Sequence, residues 1–227
     1  MGDTGQSLPE YPESDTRQGE RPEGPLMNFQ ALLKRRKSVR AYEQRPVPRG
    51  VLDRVLASVL HAPSAGFTQG NEFLVLDDPA AVADFWAITA DPDDSPKPEE
   101  QSVFPPALIL PLANRTAYLT RYSAPDKAGY GLDQAERWPA PYWDIDAGMA
   151  SMLILLAAVD EGLGAWFFGI FAGERELLDR FSVPEEFKPI GVIGLGYPMP
   201  SDPNAARGSA RRIARRPTET LVHRNGW

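Results

Sequence analysis

The stretch DIDAGMASMLILLAAVDEGLG, residues 144–164, decides the fold. Its apolar residues fall on nearly every side of a helical wheel, so the pattern predicts a long helix in the centre of the protein. Asp144 and Asp146 suit the first turn of that helix, where acids are favoured, and Gly162 and Gly164 suit its end. The other elements must then pack around this helix.

Short apolar runs typical of strands lie on both sides of the central helix, at residues 73–76, 107–110, 165–170 and 189–196. Helical patterns lie between them, at residues 28–33, 48–61, 79–90 and 174–181, with Asn28 as a capping residue and Pro48 at a first helical position. Helices and strands alternate without the regular period of a parallel sheet. We therefore predict an α+β fold, a small central sheet wrapped by helices with one long buried central helix.

We predict one domain over residues 27–227. The first 26 residues are rich in Gly, Pro and acids and contain almost no large apolar side chains, so we expect a disordered N-terminal extension. Residues 91–100 are acidic and rich in proline, which predicts an exposed loop. Residues 114–141 carry aromatic side chains among Pro and Gly, which predicts a short helix followed by an irregular insert suited to a lid.

The composition of the 227 residues excludes several classes of protein. The chain has no cysteine, so disulfides, thiolate metal sites and a cysteine nucleophile are excluded, and with two histidines we predict no metal site. A net charge of −7 argues against a nucleic-acid-binding protein. We find no signal-peptide pattern and no uninterrupted apolar run typical of a membrane span, so we expect no membrane partner and a cytoplasmic location.

The net charge is distributed unevenly along the chain. Residues 1–26 carry −4, residues 27–50 carry +6, residues 51–204 carry −14 and residues 205–227 carry +5. Two short basic segments therefore flank a strongly acidic body. They are either two solvated ends or two segments that converge on one anion.

The first basic segment has the composition of a phosphate site. Arg36, Ser38 and Arg40 alternate in a short stretch after the first helix, and in an extended chain alternate side chains point the same way. Two guanidinium groups and a hydroxyl on one side suit a phosphate and a ribose-like chain. A solvated basic face is the alternative.

Two further segments are ordinary when taken alone. The loop 62–70, Ala-Pro-Ser-Ala-Gly-Phe-Thr-Gln-Gly, combines small residues and hydroxyls that let backbone amides approach a flat ligand. Residues 211–217, Arg-Arg-Ile-Ala-Arg-Arg-Pro, form a basic tail.

Taken together and in order, the motifs resemble the nitroreductase family, whose members are homodimeric enzymes with flavin mononucleotide (FMN). The resemblance covers residues 27–227. It rests on six motifs: Arg36-x-Ser38-x-Arg40 before Tyr42, Pro46-Val47, Ala62-Pro63-Ser64 with Gln69 before the strand at Phe73, Gly162-Leu163-Gly164, Ile193 to Pro198, and Arg215 to His223. Each motif is weak alone, and their order makes the resemblance specific.

The resemblance implies a cofactor site built from four segments. It implies that residues 36–40 hold the FMN phosphate and ribityl chain and that the C-terminal arm returns to the same phosphate. It also implies that loop 62–70 approaches the flavin from the partner subunit, and that the chain after the strand at 165–168 faces flavin N5. The residues carried over are Arg36, Lys37, Ser38, Arg40, Pro63, Ser64, Ala65, Gly66, Gln69, Gly169, Ile170, Arg215 and Arg216.

The implied activity is an oxidoreductase reaction in which NAD(P)H passes hydride to flavin N5 and a small organic acceptor, such as a nitroaromatic or a quinone, is then reduced in a ping-pong mechanism. The cofactor performs the chemistry, so no catalytic side chain is assigned. Two alternatives are a flavin-dependent tailoring enzyme, which would dehydrogenate, dehalogenate or fragment flavin, and a non-catalytic flavin-binding protein. Phe67 stands where many relatives have Asn, and this departure concerns the substrate face rather than the cofactor site.

Overall fold

A computed structural model describes residues 28–90, 104–200 and 213–227. The predicted N-terminal extension and the predicted loop 91–100 lie outside these residues. The described helices are α1 Phe29–Arg35, α2 Arg49–Ala57, α3 Pro79–Thr89, α4 Arg115–Ser123, α5 Tyr142–Asp160 and α6 Glu174–Arg180. The described strands are β1 Asn71–Leu76, β2 Ala107–Asn114, β3 Gly164–Phe168, β4 Phe187–Pro189 and β5 Val192–Gly196.

The strands form one sheet in the order β1-β2-β5-β3, and β4 pairs with β2. These pairings are all antiparallel, with Leu74 opposite Leu110 and Trp166 opposite Gly194, for example. Beyond β3, Ser38 forms an isolated parallel bridge with Ala165. The basic segment 36–40 therefore continues the sheet at the β3 edge, while β1 lies at the opposite edge.

Helices cover both faces of this sheet. On one face, α2 and α5 pack on the sheet through a cluster that includes Val55 and Ile154. On the other, α3 and α6 pack through a second cluster that includes Phe85 and Leu177. Strand β2 contributes side chains to both clusters, because successive residues of a strand point to opposite faces. The predicted α+β architecture is confirmed.

Helix α5 is the central element that residues 144–164 predicted, and it begins two residues earlier, at Tyr142. Its buried positions are Asp146, Ala147, Ala150, Ser151, Ile154, Ala158 and Val159. Its other side is not fully covered in the single chain, since Ile145, Met149 and Met152 are about two-fifths exposed. Among the described residues this one helix is long and apolar enough to cross a bilayer, a property that core helices of globular proteins share.

Three predicted boundaries differ from the structure. The pattern at 48–61 divides into α2 and a 3₁₀ turn at Ser58–His61, with Pro48 as the N-cap. The strand predicted at 107–110 continues to Asn114. The strand predicted at 189–196 is interrupted, because Gly191 has φ of +151° and separates β4 from β5.

Helix α2 is tied to the end of α5 by one ion pair. The Arg54 guanidinium donates two hydrogen bonds to the Glu161 carboxylate, Nε to Oε1 at 3.0 Å and the second nitrogen to Oε2 at 2.7 Å. The hydrogen bond to Glu161 raises the pKa of Arg54. Both side chains are mostly buried, so this contact holds its charge pair largely out of water.

Candidate functional site

The segment 36–40 is held against β3 by close backbone contact. The N–H of Val39 donates to the carbonyl of Ala165 at 3.0 Å. Gly164 permits this approach, because a Cβ at that position would lie 2.8 Å from the Val39 side chain. Val39 is buried, whereas Ser38 and Arg40 are exposed on the other side of the segment. The predicted alternation is therefore present.

This segment carries the guanidinium groups of Arg36 and Arg40. Within the described residues, no acidic side chain pairs with Arg36 or Arg40. The Arg40 guanidinium lies 5.3 Å from the centroid of the Trp166 ring, which stacks on Phe168 at 4.4 Å. The aromatic run of β3 therefore supports the basic segment from the side.

Lys37 is separated from the other predicted phosphate ligands. It lines a cavity of about 320 Å³ together with Arg35, Val39 and the end of α5. An extended chain directs alternate side chains to opposite sides, which places Lys37 away from Ser38 and Arg40. The structure therefore places Ser38 and Arg40 on the side opposite Val39 and Lys37 at the cavity, while Arg36 is half-buried at the end of α1.

Gly169 and Ile170 follow the end of β3 and are half-buried. Because Ser38 pairs with Ala165 in a parallel bridge, the chain from Ser38 to Arg40 runs alongside β3 toward Gly169. These two predicted groups thus share one edge of the sheet.

Loop 62–70 is anchored to the start of α5 by a buried carboxylate. Oδ2 of Asp146 accepts a hydrogen bond from the backbone N–H of Ala65 at 2.8 Å and another from the hydroxyl of Tyr118 at 2.7 Å. Asp146 is 1% exposed. The sequence pattern places both acids in the first turn of this helix; Asp144 lies there, whereas the buried Asp146 side chain holds the loop.

The loop itself has an unusual backbone. Three residues of the loop have a positive φ: Gly66 at +62°, Phe67 at +53° and Gln69 at +53°. Residues other than glycine rarely adopt this left-handed region. Arg121 Nε donates to the carbonyl of Gly66 at 3.0 Å. The N–H of Gln69 donates to Oγ of Ser64 at 3.0 Å. The conformation is therefore determined by hydrogen bonds from both inside and outside the loop.

Residues 114–141, predicted as a short helix and an insert suited to a lid, pack against this loop. Helix α4 is capped by Asn114, and Tyr118 is fully buried among the rings of Trp138 and Trp143. Burial, with the hydrogen bond to Asp146, raises the pKa of Tyr118 well above that of an ordinary phenol. Residues 114–141 therefore pack against loop 62–70 and support it.

Within one chain, loop 62–70 and segment 36–40 lie far apart. The loop is tied to Asp146, and segment 36–40 borders the cavity that Val159 lines, 13 positions further along α5. At 1.5 Å per residue these points are about 20 Å apart. The sheet gives the same result. The loop leads into β1 at one edge, and segment 36–40 lies beyond β3 at the other edge. The spacing of neighbouring strands makes β1 and β3 at least about 14 Å apart.

The described part of the C-terminal arm, residues 213–227, lies on the surface of the single chain. Every residue from 213 to 227 is exposed, including Arg215 and Arg216. The contacts described for this segment are internal, such as the hydrogen bond from Arg216 to the carbonyl of Thr220 and the stacking of His223 on Trp227 at 4.2 Å. Within the part of the arm that the structure describes, no contact joins Arg215 or Arg216 to segment 36–40 in one chain.

A larger cavity, about 680 Å³, lies between α3 and residues 104–106. It includes Trp86 and Phe104, and no predicted cofactor residue lines it. Its described lining contains no cation, so it does not suit a phosphate dianion. In the described ranges, no group of His, Asp or Glu side chains is arranged to hold a metal ion.

The sequence predicts Asp146 only as an acid at the start of the central helix and Tyr118 only as part of the insert at residues 114–141, so it does not predict that they anchor the loop. A signal for Asp146 was present: an acid next to the buried stripe of an otherwise apolar helix must find partners. Tyr118 gave no such signal, because residues 114–141 have no clear period.

Comparison with known proteins agrees with this architecture. The model of the nitroreductase family matches residues 33–197. A protein of Methanothermobacter thermautotrophicus, named as a candidate NADH dehydrogenase/NAD(P)H nitroreductase, is 29% identical over 76% of this chain and 78% of its own length. A protein of Archaeoglobus fulgidus with the same name is 26% identical over 74% of this chain and 83% of its own.

Solved structures show the same fold. A nitroreductase family protein of Streptococcus pneumoniae superposes with a TM-score of 0.66 at 18% identity, over 87% of this chain and all of its own. A candidate nitroreductase of Desulfovibrio desulfuricans, solved in complex with FMN, gives 0.61 at 23% identity, over 90% of this chain and 99% of its own. The family match spans most of the domain, so the chain belongs to the nitroreductase family.

Proposed function

We propose that the chain is an FMN-dependent oxidoreductase that passes reducing equivalents from NAD(P)H to a small organic acceptor, such as a nitroaromatic or a quinone. The observation that carries this proposal is the segment 36–40, which carries a hydroxyl and two guanidinium groups that no described carboxylate neutralises, in a chain whose body is strongly acidic. The FMN bound by the relative from Desulfovibrio desulfuricans and the names of the archaeal relatives support the choice of cofactor and donor.

The residues of the segment fit a phosphate. Arg36 and Arg40 offer guanidinium groups that no described carboxylate neutralises, and Ser38 offers a hydroxyl on the same side as Arg40. A phosphate carries up to two negative charges, and charge-assisted hydrogen bonds from arginine are among the strongest that proteins make. We therefore assign the FMN phosphate to Arg36, Ser38 and Arg40, with Arg215 and Arg216 added by the arm.

The remaining parts of the site require a second copy of the chain. Pro63, Ser64, Ala65, Gly66 and Gln69 lie in the loop that one chain keeps about 20 Å from segment 36–40. A homodimer removes this difficulty, because the loop of one chain can meet the segment of the other. The exposed stripe of Ile145, Met149 and Met152 on α5 supports such an interface.

The overall reaction balances without a side-chain acid or base. Bound FMN would supply the redox chemistry, as a carrier of two electrons between donor and acceptor. NAD(P)H loses one hydride, and a quinone gains two electrons and two protons, one of them from water, to form the hydroquinone. The protein binds both partners in turn, so the proposed order is ping-pong.

The test is the spectrum of the purified protein. We expect bound flavin absorbance, either as purified or after FMN is added, and bleaching by NADH or NADPH without oxygen. Reoxidation by menadione, 2-methyl-1,4-naphthoquinone, should then restore the spectrum. A protein that gains no flavin absorbance contradicts the proposal, and one that binds FMN but is bleached by neither donor contradicts the assigned donor.

A further inference from the structure

We propose that Phe67 is a specificity-determining residue, whose ring contacts the acceptor in the cleft of the partner subunit and favours flat aromatic acceptors. This inference rests on the proposed function, because the loop reaches a flavin only in the proposed dimer. It goes beyond that function by assigning acceptor preference to one side chain.

Phe67 combines two properties that are unfavourable in an isolated chain. Its side chain is 65% exposed, although it is large and apolar. Its backbone has φ of +53°, a strained conformation for a residue other than glycine and one that clusters at binding sites. Relieving both would require the loop to adopt another backbone conformation that buries the ring.

The surrounding structure prevents that relaxation. The residue before Phe67 is fixed by the hydrogen bond from Arg121 to the Gly66 carbonyl, and a Cβ at Gly66 would lie 2.8 Å from the Tyr122 ring. Ala65 is fixed by buried Asp146. The conformation of the loop is thus determined by its anchors, and the ring of Phe67 points outward as a consequence.

An outward ring next to a flavin cleft offers a particular kind of contact. Its face and edge suit a second flat, electron-poor ring, such as a quinone or a nitroarene, and such pairs contribute beyond simple burial. An inorganic complex such as ferricyanide gains nothing from it. The expected preference is about three- to tenfold in the dissociation constant of an aromatic acceptor.

The test measures binding without turnover. Oxidised holoenzyme, with no NAD(P)H present, is titrated with menadione, and the flavin spectrum reports the dissociation constant for wild type, Phe67→Leu and Phe67→Tyr. Phe67→Leu keeps apolar bulk without a ring, and Phe67→Tyr keeps the ring. We expect menadione to bind about three- to tenfold more weakly to Phe67→Leu and within twofold of wild type to Phe67→Tyr. FMN affinity, the rate of bleaching by NADH and ferricyanide reduction should be unchanged in both.

Each other outcome overturns the proposal. If wild type and Phe67→Leu bind menadione equally, the Phe67 ring does not contribute to acceptor binding. Loss of FMN in Phe67→Leu assigns the ring to the cofactor, and elution of Phe67→Leu as a monomer assigns it to packing between copies. The proposed function is tested separately, because its failure appears in wild type as absent FMN binding or absent bleaching.

Discussion

The carboxylate of Asp146, near the start of α5, accepts a hydrogen bond from the backbone N–H of Ala65 at 2.8 Å. This contact joins the central helix to a loop 81 positions earlier in the chain. It means that the element that decides the fold also determines the shape of the loop that we assign to the flavin. The two roles can be separated by substitution.

Replacing Asp146 with Ala should lower the free energy of unfolding by about 3 kcal/mol, because the Ala65 N–H and the Tyr118 hydroxyl both lose their partner in a buried place. Urea denaturation measures this change. Asp144→Ala is the matched control on the same helix, since Oδ1 of Asp144 is buried without a hydrogen-bond partner in the described residues. That control should change stability by less than about 1 kcal/mol, and equal losses in the two variants would contradict the anchoring role.

The raised pKa of Tyr118 predicts a loss of stability in alkali. Because the folded state holds the proton more tightly than the unfolded state, the contribution is complete below the ordinary phenol pKa of about 10 and is lost as pH rises above it. Wild type should therefore lose about 1.4 kcal/mol more per pH unit above pH 10 than Tyr118→Phe. Urea denaturation between pH 8 and 11.5 gives both slopes, and parallel slopes would rule out the buried, hydrogen-bonded phenol.

More of the fold than of the candidate site could be predicted from the sequence. The central helix and the strands follow from apolar periodicity, and the alternation of Ser38 and Arg40 with buried Val39 follows from an extended backbone. The order of the strands could not be read in this way, because pairing depends on contacts far apart in sequence. The anchor between Asp146 and Ala65 is of this kind, and so is the separation of the loop from segment 36–40.

Gly164→Ala should push segment 36–40 away from β3, because the new Cβ would lie 2.8 Å from the Val39 side chain. We expect a loss of about 1–3 kcal/mol in stability, as in other overpacked sites, and weaker FMN binding. The second substitution Val39→Gly removes the Cβ and both methyl groups that the new Cβ would meet at 2.8 Å, so the double variant should recover FMN affinity. Failure of the double variant to recover would show that Gly164 is not required for this close approach.

A site shared between two chains predicts complementation. Arg40→Ala disrupts the phosphate segment, and Ser64→Trp places a bulky ring in the loop, so each homodimer should bind FMN poorly. When the two variants are coexpressed with different tags, the heterodimer has one site with a normal segment and a normal loop. It should bind one FMN per dimer with wild-type affinity. A heterodimer with no normal site would indicate that each site is built within a single chain.

The central claim, that the two basic segments hold the FMN phosphate, is tested most directly by comparing FMN with riboflavin, which lacks the phosphate. Fluorescence titration should show wild type binding FMN at least about tenfold more tightly than riboflavin. Arg40→Ala with Arg215→Ala should abolish that preference and leave riboflavin binding unchanged. Arg175→Ala with Arg180→Ala removes the same charge from α6 and should preserve the preference. If the Arg40 and Arg215 double variant still prefers FMN as strongly as wild type, the assignment of the phosphate to these segments is wrong.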